Sequence, residues 1–231
     1  MTRRKGRPYG LIFDVDGVIA DTEAVNAAAS IAMFTELFGL EGVRREDFEA
    51  GLGRGAEAYV QSAAGVHGLV LSPEQIAEAT RVRQKNFLAI LEANPLPPFP
   101  GVSELINSAV AHEDFDVGIA TSSTREKSQA VLESARIPYR DVVYVTGSDV
   151  SHKKPHPELF LKAAEQLQIE PCRCLVIEDA PNGVESAHGA GCKCLAVTNS
   201  MSAEKLSAAD SVVANLGNVT LQTVIDLLTK K

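Results

Sequence analysis

Three aspartates, Asp14, Asp16 and Asp21, fall within eight residues in the stretch GLIFDVDGVIADTE, Gly10 to Glu23, directly behind the apolar run Leu11-Ile12-Phe13. Carboxylates at the end of a core-bound run repel one another: two unit charges about 4 Å apart interact by roughly 4 kcal/mol at an effective dielectric of about 20. A cation must sit among them. Similar groups follow the other apolar runs: Thr121 and Ser122 behind Phe115–Ala120, Lys153 and Lys154 behind Val142–Val145 and ahead of Pro155, and Glu178 and Asp179 behind Cys174–Ile177. Taken singly, each has a plainer use: an Asp as a turn former, a Thr as a solvated hydroxyl, a Lys before Pro as a surface residue. Together they suit phosphoryl transfer. Carboxylates and backbone oxygens are ligands for Mg2+, which usually keeps waters and binds substrate phosphate. A carboxylate can also act as nucleophile and split one difficult step into two, while an ammonium and a hydroxyl steady the transferring group.

Such residues meet only if the runs are neighbouring strands. Apolar, β-branched runs at Tyr9–Phe13, Phe115–Ala120, Val142–Val145, Cys174–Ile177, Cys194–Val197 and Ser211–Val213 alternate with helical spacing at Gly101–His112, Thr124–Ala135, Pro155–Leu167 and Pro181–Gly189. Continuous apolar strands alternating with helices imply a parallel sheet covered on both faces, whose ligands bind beyond the carboxyl ends of the strands. The sequence Ser123-Thr124-Arg125-Glu126 has the form of a capping box and predicts a helix start there, with Thr121 and Ser122 in the preceding turn. From Thr22 to Ala93 the alternation stops. Candidate helices at Ala24–Phe38, Arg45–Gly51, Ala56–Ala64 and Pro73–Leu91 are followed by Asn94-Pro95-Leu96-Pro97-Pro98-Phe99-Pro100-Gly101, where the prolines end any helix. The expected architecture is an α/β, doubly wound, parallel-sheet core (residues 1–21 and 95–231) with a small all-helical cap (residues 22–94) inserted after the first strand. Two connections to one body suit a hinged lid.

Composition narrows the partners. Lysine and arginine number 22 against 30 acidic residues, a net charge of −8, which disfavours nucleic acid; the basic residues Arg3, Arg4, Lys5 and Arg7 are read as a solvated terminus. No stretch approaches the roughly 18 apolar residues of a membrane span, and no apolar signal segment opens the chain, so a cytoplasmic monomer without a membrane partner is expected. The Cys-x-Cys pairs, Cys172/Cys174 and Cys192/Cys194, are too closely spaced for a structural zinc site and read as packing cysteines. The five histidines show no metal spacing.

The ordered motifs DVDGVIADTE, IATSS, KKPHPELF and VIEDAPNGVESAHGAG resemble the haloacid dehalogenase superfamily, in the subfamily with a helical cap after the first motif, the group of β-phosphoglucomutases and sugar-phosphate phosphatases. That resemblance implies Asp14 as nucleophile and Asp16 as acid and base. It implies Mg2+ held by the Asp14 side chain, the Asp16 carbonyl and Asp179, with Glu178 directly or through water, and phosphoryl oxygens held by Thr121 and Lys154, with Ser122 in the substrate-binding set; Lys154 is chosen over Lys153 because the family's lysine directly precedes proline. The acid at Asp16 argues against dehalogenation, which needs no proton on its leaving group. The glycine-rich Ala50–Tyr59 stretch lacks a dinucleotide fingerprint, and Gly53 and Arg54 are expected to contact substrate from the cap. In the mutases a histidine falls on Asn26 and a lysine–asparagine pair on Thr124 and Arg125; with these absent, Asn26 joins the substrate-binding set and hydrolysis is favoured. The expected activity is a Mg2+-dependent phosphatase acting on a small phosphorylated metabolite, a sugar phosphate, with a mutase as the alternative and a phospho-receiver or inactive binding protein as more distant ones.

Overall fold

The computed structural model describes residues 8–51 and 56–230. The basic N-terminal residues, Gly53 and Arg54 lie outside them. Six strands, β1 (Tyr9–Phe13), β2 (Phe115–Ala120), β3 (Val143–Val145), β4 (Cys174–Glu178), β5 (Lys193–Val197) and β6 (Ser211–Val213), form one sheet in the order β3-β2-β1-β4-β5-β6, parallel at every pairing. Leu11, Ile12 and Phe13 are fully buried, as strands covered on both faces require. Helices α6 (Glu158–Leu167) and α7 (Pro181–Gly189) bring Leu159, Phe160, Ala163, Val184 and Ala187 into one core cluster with Ile12, Ala120, Val176 and Cys194 of the strands. Helices α4 (Val102–Ala111) and α8 (Leu221–Thr229) pack on β2, β4 and each other, and α5 (Arg125–Ser134) follows β2.

The chain visits β1, β2 and β3 toward one edge and then crosses to β4 on the other side of β1. That reversal places the ends of β1 and β4 side by side, in the register Phe13 opposite Ile177, with a crevice beyond their carboxyl ends.

Between β1 and α4 lies a second compact unit, Thr22–Pro95, separate from Met1–Asp21 with Leu96–Lys231. Its described residues contain α1 (Thr22–Phe38), a 3-10 segment (Arg45–Gly51), α2 (Ala56–Val66) and α3 (Pro73–Ala93), so the fold is an α/β core with a helical cap inserted after its first strand. Met33, Phe34, Phe48, Tyr59, Val60 and Ala63 form the cap's own core, in which Phe48 and Tyr59 stack with ring centroids 4.6 Å apart. Ser72 starts α3 with a reciprocal capping box to Gln75, and Pro73 occupies its first turn, where a missing N–H costs nothing.

Local expectations and structure differ in four places. The segment expected as helix from Pro155 begins its helix at Glu158, because Pro157 disfavours helical backbone at the residue before it. The Arg45–Gly51 segment is 3-10 rather than α-helical. The box expected from Ser123 to Glu126 is replaced by a simpler cap: Thr124 is the N-cap and accepts from the Lys127 N–H, while the Ser123 hydroxyl is turned elsewhere. The C-terminal helix α8, capped by Thr220, was not anticipated, although Leu221, Val224, Ile225 and Leu228 have helical spacing. All four cysteines are free thiols; Cys174, Cys192 and Cys194 are buried and Cys172 is exposed. Among the described residues no helix is long and apolar enough to cross a membrane.

Removing the fully buried Phe48 ring takes away both its area and its stacking partner. Phe48→Ala is expected to cost about 3–5 kcal/mol in urea unfolding followed by circular dichroism; a loss under about 1 kcal/mol would contradict its place at the centre of the cap core.

Candidate active site

Strand β1 ends at Phe13, and the Asp14 N–H then donates to the Ile177 carbonyl of β4 at 3.1 Å. This bond carries the ladder one residue beyond the strand and fixes Asp14 beside Glu178 and Asp179. All three carboxylates are buried, and each offers an oxygen such that the three lie within 4.8 Å of one another. Space for them is made by two glycines. Gly17 sits at φ +76°, and a side chain there would run into the Asp179 carboxylate; a side chain at Gly183 in the first turn of α7 would overlap the Glu178 carboxylate. Both positions need the absence of a Cβ.

Into this group reaches Lys154, from the loop between β3 and α6, across a cis Lys154–Pro155 bond. Its Nζ donates to Asp14 Oδ1 at 2.6 Å and to Glu178 Oε1 at 2.5 Å, with only 6% of the side chain exposed, and it lies over the Phe160 ring of α6 at 4.9 Å. Lys153 is exposed. Glu178 also accepts from the N–H groups of Asp179 and Ala180 at 2.9 and 3.2 Å through Oε2.

Burial, followed by the charge of Glu178 and Asp16, pushes the Asp14 carboxyl up from 3.8 to about 7 against the pull of Lys154. Burial, then Glu178 and Asp14, holds Asp179 well above its ordinary value, with the Ser200 hydroxyl opposing. For Lys154, burial works against the proton, but Asp14 and Glu178 outweigh it and raise its pKa. One ammonium therefore serves three buried acids. That shortfall of positive charge, with oxygen donors converging on one point, fits a hard divalent cation.

Strand β2 delivers Thr121, fully buried, its N–H bonded to the Val145 carbonyl of β3 at 3.1 Å and its hydroxyl accepting from Ser123 N–H at 3.1 Å. The Ser122 hydroxyl is buried and finds no partner among the described residues. Asp16 is half-buried, and both of its oxygens are engaged: Oδ2 accepts from the Ser123 hydroxyl at 2.5 Å and Oδ1 from Lys127 Nζ at 2.7 Å. Asn199 donates to the Gly17 carbonyl at 2.8 Å and steadies the turn behind Asp16.

Asn26 belongs to the cap unit. Its Oδ1 accepts from Arg83 at 2.8 Å and its carbonyl from Ser30 at 2.7 Å; Arg83 also bonds the Ser30 hydroxyl and lies over the Tyr59 ring, whose hydroxyl donates to Glu23 at 2.7 Å. Gly53 and Arg54 lie outside the described residues.

Lys127, Asn199 and Ser200 were not singled out in the sequence, and Ser123 was read only as part of a helix cap. Asn199 and Ser200 follow β5 and obey the same strand-end rule that found the acids; Ser123 and Lys127 are four apart, one helical turn, at the start of the helix behind β2. The expectation that the histidines have no metal spacing is corrected: ligand atoms of His152, His156 and Glu158 lie within 4.8 Å of one another. Both histidines are exposed. Glu158 already accepts from the N–H groups of Ser151 and His152, which hold its carboxyl down at about 2, so the cluster orders the loop that carries Lys154.

The chain is similar to known proteins over most of its length. Protein CbbY of Rhodobacter capsulatus is 30% identical over 227 residues, covering 94% of this chain and 97% of its own. Validoxylamine A 7'-phosphate phosphatase of Streptomyces hygroscopicus subsp. limoneus is 29% identical over 211 residues, covering 90% and 94%. The crystal structure of CbbY from Rhodobacter sphaeroides in complex with phosphate superposes with a TM-score of 0.82 at 24% identity, covering 94% of this chain and 99% of that one; a variant of the same protein has been crystallised with xylulose-(1,5)bisphosphate at the same similarity. From Leu11 in β1 to Val197 at the end of β5, residues 11–197 match the haloacid dehalogenase-like hydrolases, and the chain belongs to that family.

Proposed function

We propose that this protein is a Mg2+-dependent phosphatase that hydrolyses a small phosphorylated metabolite, a sugar phosphate, through a phosphate ester on Asp14. The observation that carries the proposal is the Lys154 ammonium bridging Asp14 and Glu178 with Asp179 alongside. The phosphatase among the relatives and the phosphate and bisphosphate complexes of CbbY support the substrate class.

In this reading Asp14 attacks phosphorus while Asp16 gives a proton to the departing oxygen. Asp16 then takes the proton from the water that releases phosphate and regenerates Asp14. Lys154, Thr121 and the unpaired Ser122 hydroxyl hold the phosphoryl oxygens. The side chains of Asp14, Glu178 and Asp179 and the carbonyl of Asp16 would hold Mg2+, which when bound neutralises charge on the transferring group. Residues 22–94, with Asn26, Gly53 and Arg54, are assigned to substrate choice.

Hydrolysis is preferred to mutase chemistry because the positions that matter to mutases are engaged elsewhere. Thr124 caps α5, Arg125 pairs with Asp149 at 2.6 Å and covers Tyr144, and Asn26 is bonded to Arg83.

Replacing Asp14 by Asn should lower turnover at least about a thousandfold with an unchanged circular dichroism spectrum. A panel of sugar phosphates and bisphosphates, followed for both inorganic phosphate and isomerised product, checks the reaction: phosphate without isomer is expected, and isomer without phosphate would establish a mutase.

The metal has an independent test in stability. A carboxyl raised from 3.8 to about 7 on folding stabilises the metal-free fold below the lower value, and that contribution is lost as pH rises through the higher one. Groups held low, such as Glu158 and Asp210, complete their opposite change by about pH 5. Thermal melts of chelator-treated protein should therefore show Tm falling between about pH 5 and about pH 8, with Mg2+ restoring it most at the upper end. An equal Mg2+ effect on Asp179→Asn would rule out the proposed site.

A further inference from the structure

We infer that Lys127 is a positioning residue for hydrolysis of the phosphorylated enzyme, holding Asp16 as the base that activates water; the inference rests on the reading of Asp14 and Asp16 given above.

The contact is costly in local terms. Lys127 is the third residue of α5, and its backbone N–H donates to the Thr124 cap. A cation in a first turn faces the positive end of the helix, which is an unfavourable placement. Its side chain is only 13% exposed, so the ammonium has given up most of its water. A residue that opposes both the helix and its own solvation is compensated by what it touches, and here that is Asp16 Oδ1 at 2.7 Å, with the Ser123 hydroxyl at 3.3 Å.

The hydrogen bonds define the form of Asp16. A lysine ammonium can only donate, so Oδ1 accepts; the Ser123 hydroxyl occupies Oδ2 at 2.5 Å. The two contacts together hold the carboxylate in one orientation. The two contacts also differ. The ammonium anchors Oδ1, whereas a hydroxyl can rotate and release Oδ2. Oδ2 is thus the oxygen that exchanges protons, while Oδ1 stays on Lys127 and fixes the plane of the carboxylate. In the second half-reaction, water forms its bond to phosphorus as Oδ2 takes the water proton. The bond from phosphorus to the Asp14 oxygen breaks with its electron pair returning to Asp14, and inorganic phosphate leaves. Lys127 touches none of the reacting atoms and acts through Asp16.

The test uses 4-nitrophenyl phosphate with the full-length protein and Mg2+, because a nitrophenolate leaves with little help from an acid. Formation of the phosphorylated enzyme then depends weakly on Asp16, and its hydrolysis depends on it fully. Phosphate on the protein is followed by acid quench and intact mass, and its rate of loss is measured after rapid mixing. For Lys127→Met the expected result is a loss rate lower by about tenfold or more, with about 10⁴-fold, the most that acid–base catalysis supplies, as the ceiling, accumulation of phosphorylated protein, and kcat and KM falling together so that kcat/KM stays within about threefold. Lys127→Arg, which keeps a cation at the site, should restore most of the rate. A raised KM with an unchanged loss rate would make Lys127 a substrate-binding group and overturn the inference, as would an unchanged loss rate in soluble, folded Lys127→Met. Asp16→Asn separates the two levels: if it too leaves hydrolysis of the phosphorylated enzyme unchanged, the assigned role of Asp16 fails; if only Lys127→Met does so, the positioning role fails alone.

Discussion

Three carboxylates buried within a few ångströms of one another, with one ammonium among them, set the terms for the rest of this protein. Removing charge from water is unfavourable unless it is compensated, and like charges brought together make it worse. The chain meets the cost with geometry. Lys154 is carried in from a separate loop to bridge two of the acids, backbone N–H groups face Glu178, and Gly17 and Gly183 remove side chains that would otherwise fill the space. What is left is a cluster in which burial and mutual repulsion push the Asp14 and Asp179 carboxyls above their ordinary values. Such a site fits a divalent cation.

The parallel sheet is what makes that crowding possible. Side chains on flexible loops would drift apart under their own repulsion, but Asp14, Thr121 and Glu178 each sit within one residue of a strand end in fixed register. Hydrogen bonds continue past the strands, from Asp14 to Ile177 and from Thr121 to Val145, so the ladder itself positions the chemistry. The reversal of strand order beside β1 supplies the crevice. Solved structures 20–24% identical to this chain superpose on it with TM-scores of 0.78–0.82, which accords with a fold specified by backbone pairing and apolar burial more than by particular core side chains.

The helical unit follows a different logic. Its centre is an ordinary apolar core around Phe34, Phe48 and Tyr59, and beside it Arg83 binds the neutral acceptors Asn26 and Ser30 while lying over Tyr59. The core concentrates acids around one lysine, whereas the cap is organised around stacked rings with hydroxyl and amide acceptors beside them.

The strands were legible because a strand covered on both faces must be a continuous apolar run, and such runs as Leu11-Ile12-Phe13 and Cys174–Ile177 are visible without knowledge of their neighbours. Asp14, Thr121, Lys154 and Glu178 could be read in turn because strand ends in a parallel sheet share one edge. Prolines likewise announced the end of the helical insertion. The partners of Asp16 were not legible: Ser123 and Lys127 lie more than a hundred positions along the chain from it, and nothing local separates a serine that caps a helix from one that turns toward a distant carboxylate. His152 and His156 posed the same difficulty, since their approach to Glu158 depends on a turn shaped by two prolines. Sequence alone determined which chemical groups stand at the strand ends, because hydrophobic periodicity is a property of neighbouring residues. Tertiary structure decided which donor meets which acceptor, because a hydrogen bond requires atoms about 3 Å apart, a distance that only the folded backbone can set.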